Sequence, residues 1–341
     1  MRWTNLTESG RPTGLIDSRT VRTRMFDTPE FQGVTFYEVH AKSILNRVPD
    51  GSRMPFRWTV NPYRGCSHAC TYCFARASHR YLDLDTGPDF DSQIVVKTNA
   101  PELLRRRLTT KRWNGDHIAL GANVDCYQRA EGRYRLMPGI LSALRDHANP
   151  FSVITKGTLV LRDVELLKQA SRAAPVHVAV SVGFTDPGLW HAVEPGTPPP
   201  HARLRVIRTL TEAGIEVGVL MMPIVPLLGD SPAQLRETVR AVADSGASWL
   251  TPAVLYLPSG AREWFMRGLG RSHPSHVRDY DRLYAGGSNV PRWYRERIDR
   301  QVTELADEYG VAVRAEGDPW GDTSGAGGRQ RPGGPVQLTL L

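Results

Sequence analysis

The chain has 341 residues, 40% hydrophobic and 23% charged, and 43 Lys and Arg against 35 Asp and Glu give a net charge of +8. This is the composition of a soluble globular protein with a large core, and it excludes a small disulfide-stapled scaffold. The longest nearly apolar stretch, Val217 to Leu228, is broken by Pro223 and Pro226 and falls short of the roughly 18 residues of a membrane span. The N-terminal MRWTNLTESGRPTG has no apolar core before a cleavage site, so no secretory signal is predicted and the cytoplasm is the expected compartment. The positive surplus is modest and carried by arginine, 38 against five lysines. Arginine suits bidentate recognition of phosphate, and codon usage would give the same bias.

Residues 1 to about 56 mix polar, charged and proline-rich segments around one predicted strand and turn, GVTFYEVHAK, and read as an N-terminal extension. From Arg57 to residue 258, β-branched apolar runs alternate with amphipathic stretches. The predicted strands are HIALGAN (117–123), FSVIT (151–155), VHVAVSVG (176–183), IEVGVLMMP (215–223) and SWLTPAVLYL (248–257). Predicted helices between them include MPGILSALRDHA, LRDVELLKQASRA, HARLRVIRTLTEAG and SPAQLRETVRAVADSG. The last has Ser231 as N-cap, Pro232 at the first helical position and Gly246 at its end.

Such near-continuous hydrophobicity is expected of parallel strands covered by helices. With one more strand ahead of the cysteines, about six β/α units result. They predict an α/β fold, a partial TIM-like (β/α)6 barrel with its chemistry at the C-terminal strand ends, with a doubly wound sheet as the runner-up. Residues 259–316 form a basic, aromatic-rich region ending in a long amphipathic helix, PRWYRERIDRQVTELADEYG. Residues 317–341, rich in Gly and Pro, read as a flexible linker and a terminal peptide.

Three of the four cysteines fall in NPYRGCSHACTYCFAR, as Cys66, Cys70 and Cys73 with spacing C-x3-C-x2-C. A structural zinc normally takes four protein ligands. Three thiolates on a [4Fe–4S] cluster would instead leave one iron open to an outside ligand. A zinc site completed by His68 or a distant histidine, or a set of buried thiols, is the competing reading, and His68 itself is expected at the surface. The spacing, with Tyr72 directly before the third cysteine, resembles the radical S-adenosylmethionine superfamily. That resemblance implies a [4Fe–4S] cluster and S-adenosylmethionine as cofactors. It further implies that an external electron donor reduces the cluster, that the sulfonium is cleaved to a 5′-deoxyadenosyl radical, and that this radical abstracts hydrogen from a substrate. Tyr72 would pack near the adenine.

Over roughly residues 60–230 the chain is similar to the spore photolyase-like branch of that superfamily. VITK, ending at Lys156, matches the strand motif whose lysine lies at the cofactor, and Ser181 in AVSVG falls where the next strand supplies a hydroxyl. The segment beginning EPGTPPPHAR carries Glu194 and Arg203, implied to help hold the cofactor, whose carboxylate an arginine can clasp. The loop GANVDCYQ holds Asp125, expected as a cofactor or substrate contact. Beside it stand Cys126 and Tyr127, implied to return a hydrogen atom to the substrate radical; Cys126 is displaced by a few positions from the family's pattern, and packing filler is its alternative role.

Between Arg262 and Arg300, arginines are interleaved with Trp264, Phe265, Tyr280, Tyr284, Trp293 and Tyr294. This mixture suits an opened or single-stranded nucleic acid, and equally a helix packed on a barrel by its aromatic side. The terminal Gln337–Leu341 resembles the peptides by which bacterial DNA enzymes dock on the sliding clamp, with Leu341 in place of a final aromatic. The expected function is a radical S-adenosylmethionine enzyme acting on nucleic acid, with DNA base-lesion repair as the sharper form. Modification of RNA, protein or a small molecule, and a non-catalytic Fe–S or zinc module, are the alternatives.

Overall fold

The apolar runs assemble into one curved sheet whose strands follow chain order. In the computed structural model, which describes residues 21–50, 52 and 54–315, these strands are β1 (Leu45–Arg47), β2 (Trp58–Val60), β3 (Ile118–Leu120), β4 (Phe151–Thr155), β5 (Val176–Ser181), β6 (Val217–Ile224), β7 (Trp249–Val254) and β8 (Ala312–Val313). Neighbours from β2 to β8 pair in parallel, and β1 pairs antiparallel with β2. β1 and β8 are the two edges and do not pair with each other, so the sheet is an open arc. Six parallel strands, β2 to β7, form the expected partial barrel.

The helices are α1 (Ala100–Leu108), α2 (Leu136–Asp146), α3 (Val164–Ser171), α4 (Pro200–Glu212), α5 (Pro232–Asp244), α6 (Ala261–Ser272) and α7 (Arg292–Tyr309), with short helical turns between them. In α2 the apolar positions Met137, Ile140, Leu141 and Leu144 recur at helical spacing and are all buried. Burying each such side chain contributes about 1.5–3 kcal/mol. α5 starts with a capping box in which Ser231 and Gln234 satisfy each other's backbone N–H groups, and Pro232 follows where no N–H is needed. α7 buries Tyr294, Ile298, Val302 and Leu305 along one stripe and stops at Gly310, whose φ of 71° is left-handed. In the sheet, Gly218 of β6 lies opposite Trp249 of β7. A Cβ there would come within 2.0 Å of the indole, so only glycine leaves room for this buried ring.

A second sheet of four short strands supports the cysteine segment. Arg22–Met25 and Thr35–Val39 come from the N-terminal segment, Gln93–Lys97 pairs with both Thr35–Val39 and Tyr63–Arg64, and the last of these leads directly into Cys66. The predicted strand GVTFYEVHAK is therefore built into the base of the cysteine loop.

In the C-terminal region, packing uses most of the aromatics. Phe265, Tyr280, Tyr284 and Tyr294 are buried. The rings of Tyr280 and Tyr284 stack at 5.9 Å, and their hydroxyls donate to the carbonyls of Pro226 and Leu255. Buried rings of this kind cannot stack on bases; Trp293, 63% exposed, faces outward. Among the described residues no helix is long and apolar enough to cross a membrane. The linker and the terminal peptide Gln337–Leu341 lie outside the described residues.

Candidate active site

Cys66, Cys70 and Cys73 all line one cavity of about 820 Å³ at the C-terminal ends of the strands. The loop that carries them is held at nearly every step by backbone bonds. Cys66 N–H donates to Phe90 O (2.9 Å), Thr71 N–H to Val193 O (2.9 Å) and Gly196 N–H to His68 O (3.0 Å). Gln128 closes the start of the loop, accepting from Ser67 N–H (3.1 Å) and donating to Gly65 O (3.0 Å).

The strongest anchor is Arg76, fully buried between the rings of Phe90 and Trp264, each 5.1 Å from its guanidinium carbon. It donates to Cys70 O (2.9 and 3.1 Å) and Gly87 O (2.7 Å), and forms an ion pair with Asp91 (2.7 Å). Sequence reasoning missed Arg76. Most of its partners are backbone carbonyls, which leave no mark in a sequence.

Burial pushes all three cysteine thiols up, so on their own they are neutral. Their thiolate form needs a local positive charge of the kind an iron cluster brings. Three thiols facing one cavity, two of them buried and Cys73 half-buried, with open volume beside them rather than a fourth cysteine, fit a [4Fe–4S] cluster that leaves one iron for another ligand. His68, expected at the surface, is buried instead: its Nδ1 sits 3.3 Å from Asp125 on the cavity wall, because the loop folds inward across the barrel mouth.

Asp125 is fixed from several sides. It accepts hydrogen bonds from Thr155 Oγ1 (2.7 Å), Lys156 N–H (2.7 Å) and Tyr127 N–H (2.8 Å). Burial acts to raise its pKa, but His68 and these hydrogen bonds outweigh it and hold the carboxyl down at about 2. Lys156 also lines the cavity, with Nζ 3.8 Å from Glu194 and 5.9 Å from the centre of the Tyr72 ring. Tyr72 lines it too and donates its hydroxyl to Glu194. Ser181 lines it from the end of β5.

Glu194 and Arg203 belong to the same network but stand behind the wall, both essentially without exposure. Their carboxylate and guanidinium form a salt bridge. Arg203 spends its remaining donors on Ser181 O (3.0 Å), Pro198 O (2.8 Å) and Thr197 Oγ1 (3.1 Å). Burial would raise the Glu194 pKa, yet Arg203 and Lys156 keep it below the usual carboxylate range. The donors of Arg203 are used internally, and it positions Glu194, which in turn contacts Lys156 and Tyr72.

Cys126 and Tyr127 also differ from expectation. Both are buried and neither lines the cavity. The Cys126 sulfur lies beneath Gly121, 3.2 Å from where a Cβ would be, and Tyr127 donates its hydroxyl to Asp163 (3.0 Å). The turn that presents Asp125 to the cavity sends the next two side chains into the core, behind the wall that Gly121 and Asp125 line. The site therefore offers three thiols, a fixed cation and a fixed anion around one cavity.

The family profile described as the radical SAM superfamily matches residues 60–242. An uncharacterized protein of Mycobacterium tuberculosis is 47% identical over 289 residues, 85% of each chain. Another, of Methanocaldococcus jannaschii, is 30% identical over 207 residues, 60% of this chain and 73% of its own. Among solved structures, a spore photoproduct lyase mutant with bound AdoMet and dinucleoside spore photoproduct matches with a TM-score of 0.62 at 13% identity, covering 87% of each chain. Spore photoproduct lyase complexed with dinucleoside spore photoproduct matches with a TM-score of 0.60 at 12% identity, over 82% of this chain and 81% of its own.

Proposed function

Because the chain belongs to the radical SAM superfamily, enzymes that use a [4Fe–4S] cluster and S-adenosylmethionine, we propose that it abstracts a hydrogen atom from nucleic acid, and that its reaction is repair of a DNA base lesion. The observation that carries the chemistry is the convergence of Cys66, Cys70 and Cys73 on a cavity that also presents Lys156, Asp125 and Tyr72. When bound, the reduced cluster and S-adenosylmethionine supply a carbon radical able to take hydrogen from an unactivated C–H bond.

The chain's own residues bind and orient. The three cysteines would hold the cluster, Lys156 would offer a positive charge to a ligand carboxylate, and Asp125 a negative charge to a cationic group. Tyr72, its hydroxyl tied to Glu194, would offer a ring face to the cofactor's base, and Ser181 would contribute a hydroxyl from the end of β5. Glu194 and Arg203 hold this set in place from behind. Burial of the loop limits access of water to the reacting centre.

Two observations support a nucleic-acid substrate. The cavity is toward the large end for a small-molecule site, roughly 300–1,000 Å³, and arginines of α7 stand on its wall. Solved structures of the same fold include one complexed with dinucleoside spore photoproduct. An external one-electron donor and, through Gln337–Leu341, the sliding clamp are the proposed partners. Deleting Val336 to Leu341 should abolish clamp pull-down, and unchanged pull-down rejects the clamp.

The test is anaerobic. Protein reconstituted with iron and sulfide and reduced with dithionite should form 5′-deoxyadenosine from S-adenosylmethionine, and the Cys66→Ala/Cys70→Ala/Cys73→Ala variant should not. Lesion-bearing, single-stranded and duplex oligonucleotides are then compared across a salt series. Affinity no better than for an unrelated polyanion would reject the nucleic-acid reading and leave the cofactor chemistry standing.

A further inference from the structure

Several polar side chains on the cavity wall are engaged by protein partners, and several, Asn123 and Ser181 among them, make no side-chain hydrogen bond among the described residues. On the cysteine side, Tyr72, Asp125, Thr155 and Lys156 are all engaged by protein partners. On the far side, Tyr256, Asn289 and Arg295 line the cavity, and none makes a side-chain hydrogen bond or ion pair among the described residues. The Nε of Arg295 is shielded from solvent and bonded to nothing. Its neighbours on the same wall are matched: Arg292 pairs with Glu296 (2.6 Å) and Arg314 with Glu216 (2.9 Å). Asp299, one turn along α7, also lines the cavity; it is not within salt-bridge distance of Arg295, although the Arg295 charge acts on its carboxyl.

Of these groups only the Arg295 Nε is shielded from water, and it costs free energy until something accepts its hydrogen bond. Three partly exposed side chains of different chemistry, none spent on the protein, define what that something carries. A guanidinium fork matches the oxygens of a phosphate. A carboxamide offers a donor and an acceptor side by side, the pattern of a base edge. A phenol ring provides a face on which a base can lie. All three residues lie beyond residue 242, where the family match ends. The shared segment carries the cysteines and the lysine, whereas these groups come from the part of the chain outside it.

We propose that this half of the cavity is the substrate's subsite and that it takes a nucleotide unit, with Arg295 on its phosphate and Asn289 on an edge of its base. The proposal rests on the nucleic-acid reading above and adds the residues that read the substrate.

The test compares two probes that differ in one charge: thymidylyl-thymidine, with its phosphodiester, and the neutral methylphosphonate analogue. Binding of each to full-length, anaerobically reconstituted protein is measured with S-adenosylmethionine present. Wild type should favour the charged probe by about tenfold or more, as a charge-assisted bidentate contact would. Arg295→Gln should erase the preference. Arg295→Lys, which keeps the charge without the fork, should retain a reduced one, and this variant decides the matter if Arg295→Gln does not fold. An absent preference in wild type, or an undiminished one in either variant, overturns the assignment. If neither probe binds wild type while S-adenosylmethionine is still cleaved, the nucleic-acid reading itself falls.

Discussion

Replacing Arg76 by Met tests whether one buried cation holds the cysteine loop. The side chain has no exposure, donates to Cys70 O and Gly87 O, pairs with Asp91 and is enclosed by Phe90 and Trp264. Breaking a buried pair by removing one partner costs about 3–5 kcal/mol, because the remaining charge is stranded. Two things temper this. Asp91 keeps 19% side-chain exposure, and burial already pushes its carboxyl up to about 6, so it can take up a proton instead of remaining charged. Methionine also keeps some packing between the rings. The expected loss is therefore near the lower end, about 3 kcal/mol, a large part of a typical total of 5–15 kcal/mol. Urea unfolding of the metal-free protein reads it, and iron content after reconstitution should fall in parallel, since Cys70 loses its fixed carbonyl. Arg76→Lys, with charge but no fork, should fall between the two. An Arg76→Met protein within about 0.5 kcal/mol of wild type, the range of ordinary surface changes, and loading iron normally would refute the anchoring role.

Cys126→Ala should leave the product profile unchanged and cost about 1 kcal/mol through a small cavity; a stalled or altered product, read by chromatography, would restore it as a hydrogen donor. Gly218→Ala should destabilise by about 3 kcal/mol or more, since the new methyl meets the Trp249 ring at 2.0 Å, and a thermal melt that does not move would show that the ring has room to shift. Lys97, buried and bonded to Asn61 O, has its pKa pushed down from 10.5 to about 8 by burial and then by Arg64. The unfolded chain thus binds more protons between those values, so wild-type stability should rise across pH 8 to 10.5 by up to about 3 kcal/mol relative to Lys97→Met. Parallel stability curves for the two proteins would contradict the assigned burial.

The β-branched runs that predicted strands did so because parallel strands covered on both faces must be apolar throughout. Phe151–Thr155 coincides with its predicted segment, the strand predicted at 215–223 shifts to Val217–Ile224, and the others shorten by a few residues at their ends. What escaped were short pieces whose pairing is decided elsewhere: Arg22–Met25, Leu45–Arg47, Tyr63–Arg64, Gln93–Lys97 and the two-residue β8.

At the site, spacing alone marked Cys66, Cys70 and Cys73, and the resemblance added Tyr72, Lys156 and Asp125, which the fold brings to the same cavity. Direction was the illegible part. Asp125, Cys126 and Tyr127 are consecutive, yet one side chain faces the cavity and two face the core, because the turn after β3 rotates between them. Glu194 and Arg203 are in the right neighbourhood but one layer back, and no pattern in the chain records that each finds its partner in the other.

The arc's open edge has a consequence for which parts of the cavity can change. Between β2 and β7, backbone ladders tie strand to strand and are indifferent to the side chains they carry. α7 is seated differently, by Tyr294, Ile298, Val302 and Leu305 and by the grip of Tyr294 and Arg297 on Asp230. Its cavity-facing positions share none of those duties. Substitution there changes one wall of the cavity while the thiols stay where the ladders put them.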